Sequence, residues 1–165
     1  MTREDPKPQK TEIPARNTLN VLGVFDSDAQ AAAAEQALEQ ARFSSDDISV
    51  VTKSADAQPA EVNVGQRMIG GAAKGALLAG LAATVVAVPG VGLLLAAGPI
   101  AFMLGAGGLV GSFIGLGLAR EQAERYENMV RAGAEVVIVR VTGDERAQVA
   151  TRILSQHGAH DILTN

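Results

Sequence analysis

The chain has 165 residues, a formal net charge of −4, 3% aromatic residues and no cysteine. That length suffices for one domain with a core of its own. A mildly acidic chain with few aromatics offers neither a basic face for phosphates nor a stacking platform for bases, so nucleic acid is not an expected partner. The lack of thiols excludes disulfides, thiolate metal sites and cysteine nucleophiles.

Residues 1–17 are polar, mixed in sign and carry Pro6, Pro8 and Pro14, which reads as a disordered tail. The start, Met1 to Pro6, has acidic residues where a signal peptide needs an apolar core, so the termini are expected in the cytoplasm. Thr18 to Phe25 is β-rich and ends against Asp26-Ser27-Asp28, a set of helix N-cap residues. A helix is predicted over 29–42, with Glu35, Gln36, Glu39 and Gln40 mostly outward and Ala33, Ala37, Leu38 and Ala41 inward. Ser44 to Asp47 is a polar turn, and Ile48 to Thr52 reads as a second strand, which completes a βαβ unit. Residues 53–64 lack periodicity and read as a linker.

From Gly65 to Leu118 the chain is rich in Gly and Ala, and no charged side chain occurs between Lys74 and Arg120. Such a stretch must be buried. Small residues recur at every fourth position, as Gly71, Gly75, Ala79 and Ala83 and again as Gly107, Gly111 and Gly115. On helices that spacing forms a stripe along which two backbones can approach, and these glycines are the candidate packing and oligomerisation residues. Val88-Pro89-Gly90-Val91-Gly92 lies between the halves, with Pro89, Gly90 and Gly92 as turn residues. The expectation is a Gly-zipper helical hairpin over 63–119.

A polar helix follows from Ala119 to Ala132, with Gly133 placed as its C-terminal cap. Ala134 to Thr142 is the strongest strand in the chain, with too many β-branched residues for a solvent face, and is expected at the centre of the sheet. A helix over 145–156, ended by Gly158, and a short strand over 159–163 complete a second βαβ unit. The predicted divisions are thus 1–17, 18–62, 63–119 and 120–165. The fold class is α+β, a ferredoxin-like βαβ-βαβ sandwich with the hairpin inserted between its second and third strands.

The set Val88-Pro89-Gly90-Val91-Gly92, Ala97-Gly98-Pro99, Ile114-Gly115-Leu116-Gly117-Leu118 and Glu121 to Glu127, followed by a Val-rich strand, resembles the bacterial general-stress, heat-induced stress protein family. Gly23-Val24-Phe25-Asp26 and Asp47 to Val51 resemble its first half, so the likeness runs from Leu19 to Ile162. The resemblance implies a stress-associated bacterial protein with no catalytic residues to carry over.

No residue set favours chemistry. Gly105 to Gly111 superficially matches a dinucleotide fingerprint, but its flanks are apolar helix where a strand would be required. His157 and His160, three apart, make an incomplete metal site and read as a helix-end and a strand residue. Ser27 and Ser112 have no histidine partner, and Tyr126 is expected to lay its ring on the sheet with its hydroxyl in water. No cofactor is expected.

The second hairpin arm, Pro99 to Ala119, is 21 uncharged residues, about 30 Å as a helix and long enough to cross a bilayer core. The first, Gly75 to Val88, is 14. Arg67 and Lys74 before the hairpin and Arg120 and Arg125 after it would flank a membrane from the cytoplasmic side. The sequence therefore predicts a non-enzymatic stress protein held at the inner membrane, with a small interaction or sensing domain. Two alternatives stand beside it: a cytoplasmic homo-oligomer whose hairpins bury one another, and a small-ligand regulator.

Overall fold

The computed structural model describes residues 17–53, 83–88 and 92–165. The fold is mixed α+β, with strands β1 (Thr18–Phe25), β2 (Ile48–Lys53), β3 (Ala83–Val88), β4 (Gly92–Ala97), β5 (Glu135–Thr142) and β6 (His160–Thr164). Four helices accompany them: α1 (Asp28–Gln40), α2 (Ile100–Gly115), α3 (Arg120–Ala132) and α4 (Asp144–Gln156). The strands form one sheet in the order β3-β4-β2-β5-β1-β6, with every neighbouring pair antiparallel. Thus β1 and β2, joined through α1, bracket β5, while β5 and β6, joined through α4, bracket β1.

β5 is central, as its composition predicts, and the reason appears in the layers on either side. Val137, Val139 and Val141 pack with Val21, Phe25, Val50, Leu38 of α1 and Leu154 of α4. Val136 and Ile138 face the other way, onto Leu104, Leu109 and Phe113 of α2 and Ala123, Tyr126 and Val130 of α3. The sheet is covered on both faces, so alternate residues of one strand enter two separate cores. Leu94, Ala96, Ile100, Leu104, Leu109, Phe113 and Leu118 belong to the second core, which builds this part of the Gly-rich segment into the domain.

The helical hairpin expected over 63–119 is corrected at its turn. Ala83–Val88 and Gly92–Ala97 are strands paired from Ala83 opposite Ala97 to Val88 opposite Gly92, so Pro89 and Gly90 fall between two strands. The physical reason is local: Thr84, Val85, Val86 and Val88 are β-branched, and a Pro-Gly turn between two short apolar runs is also a β-hairpin signal. β4 then pairs with β2, extending the sheet at that edge. The first-arm positions Gly71, Gly75 and Ala79, the flanking Arg67 and Lys74, the tail to Arg16 and most of the linker lie outside the described residues, as do Pro89 and Gly90.

α2 is broken in its middle. Leu104 and Leu109 are five positions apart, which would set them about 140° apart on a straight helix. Gly108, at φ 67° and ψ −173°, takes a conformation open to glycine and resets the phase, so that Ile100 and Leu104 before it and Leu109 and Phe113 after it all reach the same core. The break is stitched by Ser112, whose hydroxyl donates to the Gly108 carbonyl at 2.8 Å, and by Glu127 of α3, whose Oε2 accepts from the Val110 amide at 3.2 Å. No helix among the described residues is long and apolar enough to cross a membrane.

At the entry to α2, Gly98 has φ 77°, and a Cβ there would lie 2.1 Å from the Ile48 carbonyl oxygen. The close approach lets Ser49 Oγ accept from the Ile100 amide at 3.3 Å, tying α2 to β2. Gly98→Ala is expected to destabilise the domain by more than about 2 kcal/mol, because both the conformation and the space are lost. A urea denaturation midpoint that falls with unchanged slope is the confirming measurement.

Candidate functional site

Two places depart from what folding alone would select: a buried acid cluster under α1 and the outer face of α2. α1 starts at the N-cap Ser27, whose hydroxyl accepts from the Ala29 amide at 3.3 Å. Its inward face is Ala31, Ala34, Glu35 and Leu38. This corrects the outward expectation for Glu35. Leu38 is the one large apolar residue in α1 and fixes which side meets the sheet, and Glu35, three positions earlier, is carried inward with it.

Glu135, the first residue of β5, sits opposite Phe25 of β1 and on the same face as Val137. It is 1% exposed and Glu35 is 4% exposed. Among the described residues neither oxygen of Glu135, nor Oε2 of Glu35, has a hydrogen-bond partner. Burial pushes Glu135 up to about 8, the neighbouring Asp28 carboxylate adds to the shift, the Thr52 hydroxyl opposes it, and the charge of Glu35 adds a little more. Burial likewise pushes Glu35 up to about 7, helped by Glu39. Both acids therefore carry protons at pH values where ordinary carboxylates are ionised. The sequence signal for Glu135 was its place at the head of an otherwise apolar strand; Glu35 had none beyond its spacing from Leu38. Among the described residues, no group of three metal-ligating side chains gathers here or elsewhere.

Tyr126, the carboxylates paired with Arg120 and Arg125, and the two histidines serve the fold. Tyr126 is fully buried, its ring 5.7 Å from that of Phe113, and its hydroxyl donates to the Asp161 carbonyl instead of meeting water. Burial raises that phenol to about 12. Arg125 pairs with Asp161 at 2.9 Å and Arg120 with Glu124 at 3.6 Å, so the two arginines expected to flank a membrane after the hairpin are engaged with carboxylates of this domain. His157 caps the end of α4, and His160 opens β6 with its ring 3.2 Å from Asp26 Oδ1.

On α2, Gly107, Gly111 and Gly115 are exposed. Among the described residues, a Cβ at Gly107 or Gly111 would meet nothing within 4 Å beyond the helix's own backbone, and at Gly115 only the tip of Met103. The expected packing stripe thus points away from this chain's own core. Beside it Ile114, 39% exposed, is a large apolar side chain in water. Gly92, the remaining turn residue, opens β4. Family models, curated proteins and solved structures all give no match to this chain.

The acid cluster sets a pH dependence with a definite sign. A carboxyl whose folded pKa is raised contributes full stability below the unfolded value of 4.5, and that contribution is lost as pH rises through about 7 for Glu35 and about 8 for Glu135. Stability should decline from pH 5 to pH 9. Glu135→Gln should flatten the decline and gain on the order of 1–3 kcal/mol over the parent chain at pH 9 in urea titrations.

Proposed function

We propose that this chain is a non-catalytic binding module that self-associates through the outer face of α2. The observation that carries the reading is the pair Gly107 and Gly111. Each lies in an exposed helix where Ala would be more stable by roughly 0.5–1 kcal/mol, and among the described residues no atom outside the helix's own backbone comes near enough to require glycine. A second α2 laid along this face would supply the reason, since two glycine-notched helices can approach to backbone contact and cover Ile114. The buried acids support a non-catalytic reading, because Glu35 and Glu135 are closed to any substrate.

In this reading the interleaved order of β6, β1, β5 and β2 is a ferredoxin-like core, extended by β3 and β4 and covered on its second face by α2 and α3. The stress-protein resemblance supplies the cellular context. The homo-oligomer is favoured over the bilayer anchor because the second arm spends the apolar side of α2 on the sheet.

The test is sedimentation of the whole chain beside the double variant Gly107→Leu, Gly111→Leu. Because both positions are open, the variant should keep its thermal midpoint while shifting from oligomer to monomer. A parent chain that sediments as a monomer, or a variant of unchanged mass, contradicts the proposal. Flotation of the parent with liposomes, lost in neither form, would restore the bilayer reading.

A further inference from the structure

At the end of the sheet where β1 begins and β5 ends, a cleft of about 370 Å³ is lined by Thr18, Phe43, Asp47, Arg140, Thr142 and Arg146. Thr18 and Thr142 are register partners across β1 and β5. The two arginines enter from different elements, and each is held before any ligand arrives. Arg140 of β5 directs Nε and Nη2 to Asp47 Oδ1 at 3.1 and 2.9 Å. Arg146 of α4 lies over the Phe43 ring, its guanidinium carbon 4.0 Å from the centroid, and donates through Nη2 to the Arg42 carbonyl at 2.9 Å and through Nη1 to the Ala41 carbonyl at 3.5 Å.

These contacts leave the cleft electropositive. Asp47 is the one carboxylate lining it, against two guanidiniums, and Arg146 has no carboxylate within 4.0 Å among the described residues. Among the described residues its charge is met by two carbonyls beyond the end of α1 and by the ring. A guanidinium has five N–H donors, and two are used on each arginine. The Arg140–Asp47 pair is about half exposed, the kind of pair that contributes little stability and is readily shared. Two planar forks fixed by a carboxylate and by ring stacking are preorganised, so a ligand need not bear the cost of ordering them.

We propose that this cleft binds a small oxyanion, carboxylate or phosphate, between Arg140 and Arg146, with the Thr142 hydroxyl as a further donor. The excess of one positive charge fits a ligand that presents one negative oxygen group. The phosphate-bearing and carboxylate-bearing classes share this chemistry, and the titration separates them. This site includes no residue of α2 and is independent of the face proposed for self-association.

The experiment titrates the whole chain, at constant ionic strength, with inorganic phosphate and separately with acetate, while the arginine side-chain and Thr142 amide signals are followed by nuclear magnetic resonance. Saturable shifts of the Arg140 and Arg146 Nε–H signals are expected with at least one anion. Arg146→Gln should abolish saturation, and Arg146→Lys, which keeps the charge and loses the fork, should weaken binding about tenfold. Arg140→Gln, at another exposed position, should also abolish it. Shifts that grow linearly with either anion, that chloride reproduces, or that survive in both Gln variants would overturn the assignment.

Discussion

Burying both sides of one strand is the constraint from which the architecture follows. β5 carries valine or isoleucine on successive positions, and a strand of that kind cannot leave either face in water. The first face is met by α1 and α4, the crossover helices of the two βαβ units. The second face has no crossover helix left to cover it, and the Gly-rich segment provides the missing layer as α2, with α3 beside it. What looks in sequence like an appendage to a small sheet is half of that sheet's burial.

The need to cover that face accounts for the irregularity of α2. Its apolar residues come in two pairs with correct helical spacing within each pair and the wrong spacing between them. A straight helix would bury one pair and expose the other. Gly108 resolves the conflict at the cost of one broken turn, and Glu127 and Ser112 satisfy polar groups that the break sets free. The same geometry turns Gly107 and Gly111 outward, so the surface assigned to self-association is a by-product of how the inner surface is packed.

Most of the βαβ framework was legible because each element carries its own punctuation: Ser27 and Gly133 cap helices, β2 and β5 are β-branched runs of ordinary length, and β1 is a short apolar run that ends against helix-capping residues. The Gly-rich segment was not legible in the same way. Where nearly every residue is Gly, Ala, Val or Leu, a four-residue recurrence of small side chains arises without helical phase behind it, and it concealed the β-branched run at Ala83–Val88. Glu35 was misplaced for a related reason. In an alanine-rich helix the inward side is set by a single leucine, and a charged residue on that side is invisible to a rule that sends charges outward. The arginine cleft joins residues about 100 positions apart and had no local signature at all.

The acids enclosed beneath α1 make folding itself a proton-binding reaction. At neutral pH Glu35 and Glu135 take up hydrogen ions as the chain folds that they do not hold when it is extended, and those ions are drawn from the surrounding buffer. The heat released on folding therefore includes the ionisation heat of that buffer. It will differ between phosphate and an amine buffer at the same pH, although the folded structure is the same in both.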